Sequence, residues 1–154
     1  AFSASIRLFL PSDVIRSLLA AIERPIEQRM DGGWRIWRRP AFGRRYCIGA
    51  DVAEGITGGD WSTASVLDVQ TMEKVSALRL HVPPDIFASR LNEVGEFYAG
   101  PDGQPALLAP ERNNHGILTL NTLANVFHYQ HLYHEPHPAS SAARPPPLPA
   151  RRLS

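Results

Sequence analysis

The sequence is poor in the residues that build crosslinked or cysteine-based sites. Cys47 is the only cysteine among 154 residues, which excludes an intramolecular disulfide and a zinc site made of several cysteines. No apolar run is long enough to span a membrane, so we expect a cytoplasmic protein. No G-x-x-x-x-G-K-[ST] stretch occurs, which excludes an ATPase domain of the P-loop type from this chain.

Lysine is equally scarce, because Lys74 is the only one among 16 basic residues. The formal net charge is +1 at pH 7, so overall charge alone does not indicate a nucleic-acid partner. The arginines are unevenly distributed, with five of them between residues 35 and 45. Arginine binds phosphate bidentately, although a biased coding composition would also enrich it.

Hydrophobic periodicity predicts an α/β fold. The predicted elements begin with an N-terminal helix from Ser12 and three strands, 46–52, 63–69 and 75–82. A helix follows Pro83 and carries Phe87, Leu91, Val94 and Tyr98 in one apolar stripe. The last elements are a strand ending at Glu111, a second helix with Ile117, Leu120, Ala124 and Phe127 on one face, and a fifth strand in 131–135. The order βββαβαβ combines an antiparallel meander with parallel strands in a mixed sheet flanked by helices. This is the ribonuclease H-like (RNase H-like) layout.

Composition divides the chain into three parts. Residues 1–44 are predicted to be an N-terminal helix and a linker arm, and residues 45–135 a partial RNase H-like domain that lacks the C-terminal part of the fold. Residues 136–154 contain six prolines in nineteen residues and no core-forming run, which predicts a disordered tail rich in proline and arginine.

Two acidic residues follow apolar strands. Asp51 and Glu111 each come at the carboxyl end of a predicted strand, and such ends meet at one edge of a parallel arrangement. Neighbouring carboxylates repel each other, and a divalent cation relieves that repulsion. Mg²⁺ or Mn²⁺ prefers such oxygen ligands, and a pair of these ions supports phosphodiester hydrolysis. The alternative is that the two acids cap helices or bind arginines.

The stretch ERNNHG, after the predicted fourth strand, is denser in polar groups than a strand-to-helix loop requires. Asn113 or Asn114 could cap the following helix. His115 could orient a water molecule or contact phosphate, and Arg112 would suit a phosphate or a structural carboxylate. The alternative is that these side chains only satisfy backbone groups.

Two motifs together carry a family resemblance. The segment IGADVAEG…GGDWSTASVLD, followed about sixty residues later by PERNNHG, resembles the nuclease domain of phage terminase large subunits, the DNA-packaging motors of tailed bacteriophages. The resemblance covers roughly Ser12 to Glu135. It implies a two-metal endonuclease with Mg²⁺ or Mn²⁺ that hydrolyses concatemeric double-stranded viral DNA, with Asp51 and Glu111 as its first two catalytic and metal-binding acids.

The resemblance also implies partners and further residues. The expected partners are an ATPase domain in the same polypeptide, the small terminase subunit and the portal protein, in the cytoplasm of a bacterial host. Asp60 matches a recurrent GD(Y/W)S element of unassigned chemical role and, without the resemblance, reads as a turn residue that bonds backbone amides. The auxiliary candidates are Asp60, Glu54 and His115, and the DNA-binding candidates are Arg44, Arg45, Arg112, Asn113 and Asn114.

The chain departs from the family in its acidic residues. The family supplies a third acid from a helix well beyond the second motif, whereas Glu135 is the only carboxylate after Glu111 here. We therefore expect an incomplete metal site and a truncated domain, produced by premature termination or a frameshift.

Two other functions compete with the nuclease. Sugar kinases and actin-like ATPases also place an aspartate after a first strand, and DVAEGITGGDWST could serve as their phosphate loop. A degenerate prophage remnant, or a passive DNA-binding module, would bind DNA in a salt-sensitive way or not at all and would not cleave it.

Overall fold

The computed structural model describes residues 10–134 of the chain. Glu135 and the predicted tail 136–154 lie outside the described residues. The elements are α1 (Ser12–Ala20), β1 (Glu27–Arg29), β2 (Trp34–Ile36), β3 (Tyr46–Asp51), β4 (Ser62–Asp68), β5 (Lys74–Leu80), α2 (Pro84–Phe97), β6 (Leu107–Pro110) and α3 (Asn114–Asn125). Between residues 10 and 134, no helix combines the length and the apolar character needed to cross a membrane.

The strands form one mixed sheet in the order β1-β2-β5-β4-β3-β6. β3, β4 and β5 make an antiparallel meander, and β6 pairs with β3 in parallel. This arrangement confirms the α/β class and the meander followed by a parallel strand that the sequence predicts.

The predicted fifth strand is reduced to a single parallel bridge between Leu108 and Leu132. The Leu108 amide donates to the His131 carbonyl at 2.9 Å, and the Tyr133 amide donates to the Leu108 carbonyl at 2.8 Å. The next bond of a parallel ladder would need an amide hydrogen on Pro110, which proline lacks. The prediction of a full strand was wrong for this reason.

A hairpin extends the sheet beyond the meander. β1 pairs with β2 and β2 pairs with β5, so residues 27–36 of the predicted linker arm belong to the sheet. Trp34 and Ile36 are fully buried, and the Trp34 indole nitrogen donates to the Ser76 hydroxyl at 2.8 Å. The division of the chain at residue 44 stays a prediction, but this part of the arm carries core side chains.

Helix α2 covers one face of the sheet. Its predicted apolar stripe, namely Phe87, Leu91 and Val94 followed by Tyr98, is buried almost completely. The stripe packs against the alternate residues of the strands that point the same way, such as Ile48. The hydrophobic core therefore lies between α2 and this face.

The opposite face of the sheet carries a row of small side chains near the end where β3 and β6 finish. Gly49 of β3 pairs with Ser65 of β4 and with Ala109 of β6, and Ser65 pairs with Ala77 of β5. These four residues form a row of small side chains across the sheet. None of them is fully buried, so within residues 10–134 this face is open.

The buried side of α3 differs from the predicted one. Gly116, Thr119 and Leu123 are its buried residues, whereas Ile117 of the predicted stripe is 46% exposed. The Thr119 hydroxyl donates to the Pro84 carbonyl at 3.1 Å and joins α3 to the start of α2. The helix therefore buries the side that carries Gly116, Thr119 and Leu123, and not the predicted stripe.

We expect stability to fall at alkaline pH because of Tyr98. Its side chain is buried and its hydroxyl donates to the Arg38 carbonyl at 2.7 Å, and burial raises the pKa of Tyr98 to about 12. Since the folded pKa exceeds the unfolded value of about 10, the stabilisation is complete below pH 10 and is lost as the pH rises toward 12. Urea denaturation between pH 8 and pH 11.5 measures this decline.

Tyr98→Phe tests the assignment. The variant should lose about 1 kcal/mol near neutral pH because a buried hydrogen bond disappears. Its free energy of unfolding should then decline less steeply above pH 10. The remaining slope is expected from Tyr129, whose pKa is also raised by burial. A slope identical to that of the unmodified protein would contradict the prediction.

Candidate active site

Asp51 and Glu111 lie side by side at one rim of the sheet. Ala50 pairs with Pro110 in the parallel register of β3 and β6, and the Glu111 amide donates to the Ala50 carbonyl at 2.7 Å. Asp51 and Glu111 are the next pair in that register, which puts their Cα atoms about 5 Å apart. Both carboxylates are exposed.

The two acids share the open face of the sheet. Because side chains alternate along a strand, Asp51 points to the same side as Gly49, and Glu111 to the same side as Ala109. Gly49 and Ala109 are small, and a Cβ atom at position 49 would meet no atom within 4 Å, so the face is open next to the two acids along their own strands. A groove of about 850 Å³ lies next to Glu111 at the β6 edge of the sheet, and Asp51 is not part of its lining, which includes Gly49, Pro110, Glu111, Leu120, Tyr133 and His134.

Asn113 joins the two segments that carry the acids. Its side-chain oxygen accepts from the Gly116 amide at 2.7 Å and caps α3, and its side-chain nitrogen donates to the Val52 carbonyl at 3.2 Å. The predicted cap is therefore Asn113. Because both ends of the amide bond to protein, the geometry gives Asn113 a positioning role and does not support the predicted direct contact with DNA.

Gly116 allows the first turn of α3 to lie against Glu111. A Cβ atom at position 116 would be 1.8 Å from the Glu111 carbonyl oxygen, a separation that no side chain tolerates. The glycine thus sets how closely the helix approaches the loop that carries the acid.

The loop between β3 and β4 carries Glu54 and Asp60, and both are exposed. The loop is fixed at its ends, because the Ser62 hydroxyl accepts from the Ala53 amide at 3.0 Å and Gly55 adopts a φ of +73° against the Val82 carbonyl. Within residues 10–134, no hydrogen bond joins the Asp60 carboxylate to a backbone amide. The turn interpretation of Asp60 therefore finds no support in its side-chain contacts.

The predicted DNA-binding residues fall into two groups. Arg112 and Asn114 are exposed beside Glu111, and His115 lies half-buried in the first turn of α3. Arg44 and Arg45 precede β3, so roughly 20 Å of strand separates them from Asp51. They also form ion pairs, at 3.6 Å with Asp68 and at 2.9 Å with Asp102. The structure does not bring these two arginines to the acids.

Sequence reasoning missed an arginine that shares a row of the sheet with Asp51. Thr63 pairs with Asp51 on one side and with Arg79 on the other, so all three residues occupy one row of the open face. The guanidinium carbon of Arg79 is 4.5 Å from the ring centroid of Trp61. Alternation along β5 could have placed Arg79 on this face, but only the strand register aligns it with Asp51.

The acids fit a divalent cation, although incompletely. Mg²⁺ and Mn²⁺ take carboxylate oxygens and fill their remaining positions with water or substrate oxygens, which an exposed pair of acids permits. In the part of the chain that the structure describes, no group of three or more His, Cys, Asp or Glu side chains could hold a metal. Asp51 and Glu111 are therefore a two-acid set.

No family model and no curated protein matches the chain. Matches are found among solved structures. The large terminase nuclease of thermophilic phage G20c with bound magnesium is 25% identical with a TM-score of 0.58, covering 78% of this chain and 58% of that one. The structure of the same nuclease with bound zinc is 24% identical with a TM-score of 0.58, and the match covers 84% of this chain and 68% of that one. The large terminase nuclease domain of Thermus phage P74-26 is 24% identical with a TM-score of 0.54, covering 83% and 60%.

The comparisons confirm the predicted resemblance at the level of the fold. This chain has the RNase H-like fold of phage large terminase nucleases over most of its described length. A further structure of the G20c nuclease gives a TM-score of 0.55, and the chain spans 56% of its length.

We expect Gly116→Ala to displace the loop that carries Glu111. The added Cβ would force α3 away from the Glu111 carbonyl, so the variant should lose about 1–3 kcal/mol of stability and its affinity for Mn²⁺ should fall. Thermal unfolding by circular dichroism and Mn²⁺ titration measure the two effects.

Gly49→Ala is the matched control for stability. A Cβ at position 49 meets no atom within 4 Å, so this variant should unfold within about 0.5 kcal/mol of the unmodified protein. Equal stabilities for the two alanine variants would show that the close approach at Gly116 is not a constraint.

Proposed function

We propose that this chain is the metal-dependent endonuclease domain of a phage DNA-packaging terminase large subunit and that it hydrolyses phosphodiesters of double-stranded DNA. The observation that carries the proposal is the adjacency of Asp51 and Glu111 on parallel strands, at the rim of a sheet with the fold of large terminase nucleases. The matched G20c nuclease was solved with bound magnesium and with bound zinc, which supports a divalent cation as cofactor.

Asp51 and Glu111 are the residues that would hold the cation. A bound Mg²⁺ or Mn²⁺ supplies charge neutralisation for the phosphate and a lowered pKa for a bound water molecule. The exposed position of both acids leaves room for the phosphate backbone above them. Asn113 keeps the two acid-bearing segments together through its contact with the Val52 carbonyl.

Arg112 and Asn114 are proposed to bind the DNA backbone beside the acids. Both side chains are exposed next to Glu111, and a guanidinium suits a phosphate because it donates two parallel hydrogen bonds. His115, four residues after Glu111, is proposed to orient water or phosphate. Asp60 and Glu54 remain auxiliary candidates on the loop that follows Asp51.

A site with two acids predicts limited activity. The family resemblance includes a third acid. Among the described residues, no third His, Cys, Asp or Glu side chain joins Asp51 and Glu111 in a group that could hold a metal. We therefore propose that the chain by itself binds one divalent ion weakly and cleaves DNA slowly, with substrate phosphates completing the coordination. The solved relatives are longer, so the activity of a complete terminase is proposed here only by similarity.

Nicking of supercoiled plasmid DNA tests the nuclease. The purified chain with several millimolar Mn²⁺ should convert supercoiled plasmid to open circles. Asp51→Asn and Glu111→Gln should each lower the rate at least about 100-fold, because each removes a charge that holds the cation. Glu93→Gln, which changes an exposed acid of α2 that contacts Arg90, should nick like the unmodified chain.

The same assay separates the competing functions. DNA binding in a gel shift without nicking at any Mn²⁺ concentration would support the passive DNA-binding module. ATP turnover without nicking would support the kinase-like alternative. Equal nicking by Asp51→Asn and the unmodified chain would contradict the proposed site.

Metal binding is expected to stabilise the fold. A ligand that binds only the folded state raises the free energy of unfolding, so millimolar Mn²⁺ should raise the midpoint of thermal unfolding by a few degrees. Asp51→Asn should abolish this increase because it removes one of the two anionic ligands. A shift of the same size in the variant would place the bound ion elsewhere.

A further inference from the structure

An exposed tryptophan lies beside the acid site. Trp61 directly precedes β4 and is 47% exposed, although indoles of this size are usually largely buried. Its position is fixed at the next residue, since Ser62 is fully buried and its hydroxyl accepts from the Ala53 amide at 3.0 Å. The side chain is therefore held at the surface by a backbone that is anchored in the sheet.

The strand register sets the distance between Trp61 and the acids. Thr63 pairs with Asp51, and Trp61 lies two residues farther along the same chain. Two residues of extended backbone and one strand spacing place the Cα atoms of Trp61 and Asp51 on the order of 10 Å apart. That distance equals roughly three nucleotide steps of duplex DNA, and fewer steps of an extended single strand.

Arg79 holds the indole from the neighbouring strand. Its guanidinium carbon lies 4.5 Å from the Trp61 ring centroid, which is cation–π geometry. None of the ion pairs found within residues 10–134 involves Arg79. Its positive charge is thus free to bind an anion while the side chain orients the ring.

A polar atom beneath the indole also lacks a partner. The His81 ring centroid is 5.3 Å from that of Trp61, and the His81 Nε2 atom is buried without a hydrogen-bond partner in the described part of the chain. The Nε2 atom is covered by protein and does not itself face a ligand, so what His81 contributes here is a ring that packs beside the indole.

We propose that Trp61 is a stacking contact for an unpaired base of the DNA strand that reaches Asp51 and Glu111, with Arg79 orienting the indole and binding a phosphate of the same strand. The proposal rests on the proposed nuclease function and adds the local state of the substrate. An aromatic side chain stacks on a base that has left the duplex stack, and an adjacent arginine adds backbone attraction. The site therefore favours DNA that is single-stranded or frayed within about three nucleotides of the cut.

Binding without cleavage tests this contact. Fluorescence anisotropy of a labelled single-stranded oligonucleotide, measured in EDTA, reports binding while preventing metal-dependent hydrolysis. Trp61→Ala should weaken binding between about fivefold and 100-fold, and Trp61→Phe should recover part of the loss because phenylalanine also stacks. Arg79→Met should weaken binding and also reduce its salt dependence, because one phosphate contact disappears.

Trp37→Phe is the matched control. Trp37 is a second partly exposed tryptophan with cations near its ring, namely Lys74 at 5.5 Å and Arg35 at 6.0 Å. It bonds to Val75 near the beginning of β5, at the end of the sheet away from the acids. This variant should bind the oligonucleotide like the unmodified chain.

A single abasic nucleotide, moved along the oligonucleotide, separates stacking from a general loss of structure. At one position it should weaken binding by the unmodified chain and leave binding by Trp61→Ala unchanged, because that variant has already lost the contact. Three results would overturn the proposal. The first is failure of the unmodified chain to bind the oligonucleotide, and the second is that Trp61→Ala and the unmodified chain bind it with equal affinity. The third is that both proteins respond equally to every abasic position.

Plasmid nicking distinguishes this proposal from the nuclease function on which it rests. Nicking that is abolished by Asp51→Asn, together with oligonucleotide binding that ignores Trp61, would overturn the stacking contact and leave the nuclease intact. Binding that depends on Trp61 without any nicking would support the contact and overturn the nuclease.

Discussion

The parallel pairing of β6 with β3 is the constraint on which the candidate site depends. The hydrogen bond from the Glu111 amide to the Ala50 carbonyl, at 2.7 Å, continues that pairing one step beyond the last paired residue of each strand. A single interaction thus brings together two carboxylates that are sixty residues apart in the sequence. A shift of one residue in this register would turn one acid toward the core and separate the pair.

Pro110 determines where this pairing ends on the outer side of β6. Without an amide hydrogen it stops the ladder toward residue 133, so the chain leaves the sheet at Glu111. Asn113 then caps the start of α3, and Gly116 lets the first turn of that helix lie directly against the Glu111 carbonyl. The stretch PERNNHG therefore contains a strand end, the candidate acid Glu111 and a helix start together.

The sequence could predict what depends on local pattern and could not predict what depends on register. Alternation and turns located β3, β4 and β5, and periodicity located the buried stripe of α2. β1 has the sequence EQR, whose polarity hides a strand that pairs through its backbone. The buried side of α3 was misassigned because two long-range contacts set the rotation of the helix, namely Gly116 against the Glu111 carbonyl and Thr119 with the Pro84 carbonyl. Arg79 was missed because nothing in one strand reveals which residue of the next lies opposite.

The exposure of Asp51 and Glu111 limits how strongly they can bind a cation. Both carboxylates are exposed, so water and salt screen their mutual repulsion, and relief of that repulsion would contribute little to metal binding. A phosphate that adds its own oxygens to the cation would raise this affinity when DNA is present. In the proposed function, the open face would therefore favour a metal ion that binds tightly only when DNA is present.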